Sequence, residues 1–340
     1  MSKRHAPIAG FGDNGSMKSI LFVADPLATF KPYKDSTYAM MREAQTRGHS
    51  IWFCHPSQIQ WQSGETVIAS CLRITLNEIQ PKANEPDAIW FEAQETQSLA
   101  LTTFDAVLMR KDPPFDAEYI YATHLLEQAQ REGARVFNDP RALRDHPEKL
   151  ALMQFPQWAP PTLVTRSAAD IRAFHATHQD IILKPLDGMG GAGIFRVGQD
   201  GMNLGSIIET LNQGGAQTVM VQRYLPEIKD GDKRVLVIGG KPVPYALARI
   251  PQGSEVRGNL AAGGKGVAMP LTQYEQEIAE VIGPTLMARG LLLVGLDVIG
   301  GRLTEVNVTS PTCFQEITQQ SGVPVAGLFL DALEQAMAIR

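Results

Sequence analysis

The sequence predicts a mixed α/β chain: a doubly wound parallel-sheet domain over residues 17–145, then an α+β half running to the C-terminus. Two observations carry this. In the first half, short apolar runs closed by turn residues alternate with helical patterns, as in a parallel sheet whose crossovers are helices. From about residue 146, pairs of strands joined by glycine turns take over, at 181–197, 219–249 and 291–308. Helical stretches near 167–178, 203–213 and 272–289 separate them.

SILFVADP (19–26) reads as a buried strand running into an Asp-Pro loop. Ser36 is placed to cap a helix through TYAMMREAQTR, with Gly48 at its C-terminal end. SIWFC (50–54) is the next strand. FDAVLMRKDPPFD (104–116) repeats the theme, its two prolines expected to open the helix EYIYATHLLEQAQ, and ARVFNDP (134–140) gives a further strand. The strand ends carry Asp25, Arg110 and Lys111, where open α/β sheets bind ligands. Met40, Met41, Tyr119 and Tyr121 read as helix packing, and His175 and His178 as a solvated helix face rather than metal ligands.

The 340 residues are 44% hydrophobic, enough to bury the cores of two or three domains. A net charge of −5 with no block of Lys or Arg argues against nucleic acid as a partner. No run approaches the roughly 18 apolar residues of a bilayer span, so no membrane is expected. Cys54, Cys71 and Cys313 form no C-x-x-C pair, which fits a reducing compartment. The start lacks an apolar signal core, so the expected location is cytoplasmic. Residues 1–16 read as a disordered extension.

IILKPLDGMGGAGIFRV (181–197) sets four glycines in six positions between apolar runs. A P-loop would need Gly-Lys-Ser/Thr, and Lys184 precedes the glycines instead. A dinucleotide fingerprint would need a helix next, whereas IFRV is rich in strand formers. The run therefore reads as the tip of a β-hairpin flap. Its backbone N–H groups could take phosphate oxygens, with Lys184 adding a point charge. A flexible turn with an exposed lysine explains the stretch alone equally well. The long glycine-rich tract 250–266 reads either as a mobile cover for a site or as an ordinary surface loop.

VGLDVIGGRLTEVNVTSPT (294–312) predicts a second hairpin. A three-residue turn, Gly300-Gly301-Arg302, pairs Ile299 with Leu303 and sets Asp297 opposite Glu305, with Asn307 on the same face. Leu296, Val298, Thr304, Val306 and Val308 then face a core. A two-residue turn would put the two acids on opposite faces. Facing carboxylates repel, so something positive is expected between them. Their hard oxygens suit Mg²⁺ bound jointly with phosphate and water, and a solvated polar face is the competing reading.

Taken together, LMRKDPPFD, LKPLDGMGGAGIFRV, KDGDKRVLV, LARIPQG, RGNLAAGG, GLDVIG and LTEVNVTSPT give the chain, from about residue 18, a specific resemblance to bacterial glutathione synthetases of the ATP-grasp superfamily. The resemblance implies a two-lobed ATP-grasp fold after the N-terminal domain, a small lobe over 146–222 and a C-terminal lobe over 223–340. It implies ATP as co-substrate, Mg²⁺ or Mn²⁺, the substrates γ-glutamylcysteine and glycine, and a homo-oligomer, a tetramer in the family.

Carried onto this sequence, the resemblance places Lys149, Lys184, Gly188, Gly190 and Gly191 at the ATP phosphates. Tyr224 and Leu225 fall beside adenine and Asp232 near the ribose. Asp297, Glu305 and Asn307 are implied as metal ligands, and Arg234, Arg249 and Arg257 as catalytic residues, the last on the covering loop. Ser310 and Thr312 fall near the glycine end of the product. Asp25, Arg110 and Lys111 lie where the peptide would enter. Arg223 stands where some members have Asn, so no contact is assigned to it. Cys313 borders this region, but the chemistry needs no thiol nucleophile. Another ATP-grasp carboxylate–amine ligase, and a non-catalytic nucleotide-binding regulator, are the alternatives.

Overall fold

The computed structural model describes residues 17–78, 89–253, 257–260 and 263–339. The predicted extension 1–16 and parts of the 250–266 tract, Glu255 among them, lie outside the described residues.

The first sheet begins with β1 (Ser19–Val23), followed by α1 (Ser36–Thr46), β2 (Ser50–Cys54), β3 (Ile59–Gln60), β4 (Ile68–Leu76) and β5 (Phe91–Ala100). It is completed by β6 (Ala106–Met109), α2 (Ala117–Arg131), β7 (Val136–Phe137) and α3 (Pro140–Asp145). Strand order is β3-β4-β2-β1-β6-β7, with β5 also on β4. The expected parallel centre is present in β2, β1, β6 and β7. The β3–β4–β5 side is antiparallel and had no counterpart in the sequence reading. Alternation along β1 covers both faces: Leu21 and Val23 pack in one core with Tyr119 and Leu126 of α2. Ile20 and Phe22 pack in the other with Tyr38, Met40 and Met41 of α1.

Several local expectations are corrected. Asp35, not Ser36, caps α1, its carboxylate accepting from Tyr38 N, while Ser36 Oγ accepts from Phe314 N instead. Asp116 caps α2, and the two prolines lie upstream of it rather than opening the helix. Tyr121 is exposed rather than packed. His175 bonds the Gly198 carbonyl at 2.8 Å and His178 lies against the Phe174 ring, so neither sits on a bare solvated face.

The second sheet comprises β8 (Thr162–Thr165), β9 (Ile181–Pro185), β10 (Phe195–Val197) and β11 (Val219–Arg223), in the order β10-β9-β11-β8. The helices α4 (Ala168–His178) and α5 (Leu204–Asn212) cover one face through Ile171, Leu204 and Ile208. The third sheet holds β12 (Asp232–Ile238), β13 (Lys241–Pro242), β14 (Tyr245–Ile250), β15 (Lys265–Pro270), β16 (Leu293–Ile299) and β17 (Arg302–Asn307). Its order is β15-β14-β12-β16-β17, with β13 on β12. The helix α6 (Gln273–Ala288), opened by a Thr272/Glu275 capping box, buries Ile278, Ile282 and Leu286 against one face. The last helices, α7 (Phe314–Ser321) and α8 (Val325–Ala338), share a core with α1, and Arg47, just after α1, reaches Asp331 at 2.8 Å. The chain's C-terminal end thus packs back on its first domain.

Candidate active site

A cavity of about 490 Å³ opens between the second and third sheets and reaches the first. Its walls follow from strand alternation: residues of β9 and β11 that do not pack under α4 and α5 face inward, namely Ile182, Lys184 and Gln222.

The glycine run is a hairpin tip, as expected: β9 and β10 pair antiparallel with Leu183 opposite Phe195. Gly190, Gly191 and Gly193 take φ of 63°, 83° and 71°, a region that penalises any side chain. Lys149 Nζ donates to Gly188 O at 2.7 Å and lies 3.2 Å from Glu305. Lys184 is buried and donates to Thr304 O at 3.4 Å. Burial lowers its affinity for a proton, and Glu305 opposes that.

The opposite wall is the β16–β17 hairpin, where the structure reaches the expected pairing by another route. The turn has two residues, Gly300 and Gly301, because Ile299 pairs with Arg302 and Val298 with Leu303. Both glycines have positive φ, as a two-residue hairpin turn of the primed type requires. Undisturbed, this register would separate the acids. Thr304 is an extra residue in β17, and the bulge returns Glu305 to a position opposite Asp297. Thr304 and Glu305 therefore both line the cavity, which alternation in a regular strand forbids. Leu303 takes the core position assigned to Thr304.

The expected positive charge is present and divided. Arg234 grips Asp297 at 2.5 and 3.1 Å, and Arg249 reaches Asp297 at 2.9 Å and Asp232 at 2.5 Å. Burial alone would raise the Asp297 carboxyl, but Arg234 and Arg249 outweigh it and hold it below the usual carboxylate range. Asp232 moves the other way, to about 6, because burial outweighs the pull of Arg249. Among the described residues its buried Oδ1 has no hydrogen-bond partner. Asn307 donates to Gly295 O at 3.2 Å and lines the cavity.

Tyr224, Leu225, Ser310 and Thr312 line the rim, as does Arg257, which donates to Gly191 O at 3.2 Å. Of the three residues proposed at the first sheet's strand ends, Arg110 lines the cavity, bonding Thr37 Oγ1 and Pro311 O. Asp25 and Lys111 pair with each other at 2.9 Å and are not among its lining residues. Arg110 is buried at the end of β6, whereas its neighbour turns toward Asp25 in the adjacent loop. Cys313 lines the cavity, but burial pushes its thiol up, away from a nucleophilic thiolate.

Two residues escaped the sequence reading. Glu148 is a buried carboxyl whose Oε1 accepts from Val308 N, Thr309 N and Thr309 Oγ1, holding the exit of β17. Burial and then Glu305 raise it. Asn138 donates to Leu293 O and Val308 O and accepts from Leu293 N, clamping the open end of the acid-bearing hairpin. Each is a single polar residue beside a turn, with no local pattern to single it out.

Asp297, Glu305 and Asn307 present hard oxygen donors on one wall, which suits Mg²⁺. Among the described residues no three His, Cys, Asp or Glu side chains are grouped to hold a metal, so phosphate and water would complete any shell.

A glycine-tipped flap carrying a lysine, facing an acid-bearing hairpin across a deep cavity, is the arrangement of an ATP-grasp protein. The fold agrees with that of the solved ATP-grasp ligase PsnB in complex with a minimal precursor: 20% identity, 94% of this chain and 99% of that one covered, TM-score 0.59. The chain belongs to the prokaryotic glutathione synthetase family. The family's ATP-grasp domain model matches residues 148–322 and its N-terminal domain model residues 17–144. The glutathione synthetase of Ralstonia nicotianae is 62% identical over 93% of this chain and 95% of its own length. That of Nitrosomonas europaea is 56% identical over 94% and 98%. The chain is accordingly an ATP-dependent ligase of glutathione biosynthesis. Among the described residues no helix is long and apolar enough to cross a membrane.

Proposed function

We propose that the chain joins γ-glutamylcysteine to glycine through an acyl phosphate, with ATP converted to ADP and phosphate. The observation that carries the site assignment is the convergence of Lys149 and Lys184 with Asp297 and Glu305 on one cavity beneath the flap. A carboxylate resists attack by an amine because it is anionic and has no leaving group. In the proposed sequence the peptide carboxylate oxygen attacks the γ-phosphorus and ADP departs. The glycine amine, having shed a proton, then attacks the acyl carbon, phosphate leaves with the bonding electrons, and the new amide nitrogen passes a second proton to the departing phosphate.

Negative charge gathers at each stage, so fixed positive charge placed in advance is the expected catalyst. Lys149, Lys184 and the N–H groups around Gly188, Gly190 and Gly191 would hold the phosphates. Tyr224 and Leu225 would flank adenine, and the unpartnered Asp232 oxygen suits a ribose hydroxyl. Asp297, Glu305 and Asn307 would hold Mg²⁺ or Mn²⁺, which neutralises phosphate oxygens. Arg234 and Arg249 would steady the reacting carboxylate and phosphoryl oxygens by their planar forks. Arg257 would close the site against water, Arg110 would meet the peptide, and Ser310 and Thr312 the glycine end. Asp25 and Lys111 would shape the entrance through their mutual pair.

We further infer a division into residues 17–145, 146–222 and 223–340, a cytoplasmic location and a homotetramer. Incubation with ATP, magnesium, γ-glutamylcysteine and glycine, followed by mass spectrometry, tests the reaction. Glutathione formed with one phosphate released per product supports it. Product formed equally with D-alanine as sole acceptor points to another carboxylate–amine ligase.

A further inference from the structure

We propose that Arg196 is a positioning residue for the nucleotide base, acting through Tyr224; this rests on the reading of Tyr224 and Leu225 as the adenine-side segment. Arg196 does not line the cavity. It lies on β10, the outgoing strand of the flap, in register with Ile182, which does. Its guanidinium is 3.7 Å from the centroid of the Tyr224 ring. The same group grips the Asp180 carboxylate with both ends of its fork, at 2.9 and 2.7 Å. Asp180 in turn accepts Tyr224 N on its backbone carbonyl at 2.9 Å.

One side chain therefore ties three strand ends together: Asp180 before β9, Arg196 on β10 and Tyr224 after β11. This is the point where the chain leaves the second sheet for the third, through Leu225 and the short turn beyond it. A bidentate carboxylate fixes the plane of the guanidinium, and a fixed plane stacked on a ring fixes the ring. The pair is about one-third exposed, and ion pairs at such positions add little to stability. Its consequence is orientation. It holds the segment between the two lobes at a set distance from the flap, so the base and the phosphates are met by surfaces in fixed relation.

The test uses the full chain as wild type, Arg196→Ala, Arg196→Lys and Lys184→Met. Titration gives the ATP dissociation constant, and kinetics give the three KM values and the ratio of kcat/KM for ATP over GTP. Arg196→Ala should weaken ATP by about tenfold and erode the ATP preference, with KM for γ-glutamylcysteine and glycine within about twofold of wild type. Lysine keeps the charge but has neither fork nor plane, so Arg196→Lys should resemble the alanine variant, and it carries the same prediction should that variant misfold. Unchanged ATP binding and nucleotide preference in a folded variant would overturn the proposal. So would an equal rise in all three KM values. If instead Lys184→Met leaves ATP binding intact, the reading of the cavity as the nucleotide site fails, independently of Arg196.

Discussion

Glu305 stands opposite Asp297 because Thr304 is an extra residue in its strand. The bulge is held from both sides: Thr304 Oγ1 donates to Asp297 O at 3.1 Å, and its own carbonyl takes Lys184 Nζ at 3.4 Å. Thr304→Val keeps the shape and removes the hydroxyl. It should reduce unfolding free energy by roughly 1–3 kcal/mol, since a buried carbonyl loses a donor. Denaturant titration measures this. An unchanged midpoint would show that the bulge does not depend on the hydroxyl.

Asp297 is the counter-charge for two buried arginines. Asp297→Asn leaves both underneutralised and should lower stability by about 3–5 kcal/mol as well as abolish ligation. Adding Arg234→Met should recover part of the stability without restoring turnover, because the second change removes the uncompensated charge. Strict additivity of the two losses in urea melts would contradict this coupling.

Gly191 is where the flap meets Arg257 and Asn259. A Cβ there would come within 2.8 Å of Asn259 Oδ1 and 3.1 Å of Arg257 Cδ, at a φ of +83°. Gly191→Ala should therefore hold flap and loop apart. The expected readout is slower ligation with more ATP hydrolysed per glutathione formed, because water reaches the acyl phosphate. Comparing phosphate release with product yield checks it.

Asp35 gives the pH dependence a definite sign. Burial pushes its carboxyl from the ordinary 3.8 up to about 6, against the pull of the Tyr38 N–H and Arg110. Between those two values the folded chain holds more protons than the unfolded one, so stability from this group falls as pH rises and is fully present only below the lower value. Asn caps a helix as well as Asp does. Asp35→Asn should be more stable than wild type near about pH 8, with the difference shrinking toward about pH 4. Thermal melts across that range decide it. A gap that widens toward acid would refute the assignment.

Much of the site was legible because its residues sit in local patterns. Lys184 stands four residues before the start of a glycine run that no P-loop or dinucleotide motif explains. The alternation of Leu296, Val298, Val306 and Val308 marks the core side of the acid-bearing hairpin. The β3–β4–β5 meander was missed because its one glycine turn, at Gly64, follows a strand of only two residues, and Glu148 and Asn138 because their partners are distant in sequence.

The sequence by itself determined the parallel centre of the first sheet, the flap hairpin, the presence of a second hairpin carrying Asp297 and Glu305, and the ATP-grasp family. Apolar periodicity and turn chemistry act over a few residues and can be read there. Only the tertiary structure decided the two-residue turn with its compensating bulge, the arginines on Asp297, and the separation of Asp25 and Lys111 from the cavity that Arg110 lines. Those depend on which charges share a buried volume. Burial makes an unpaired charge costly, so its partner comes from wherever the fold brings one within reach.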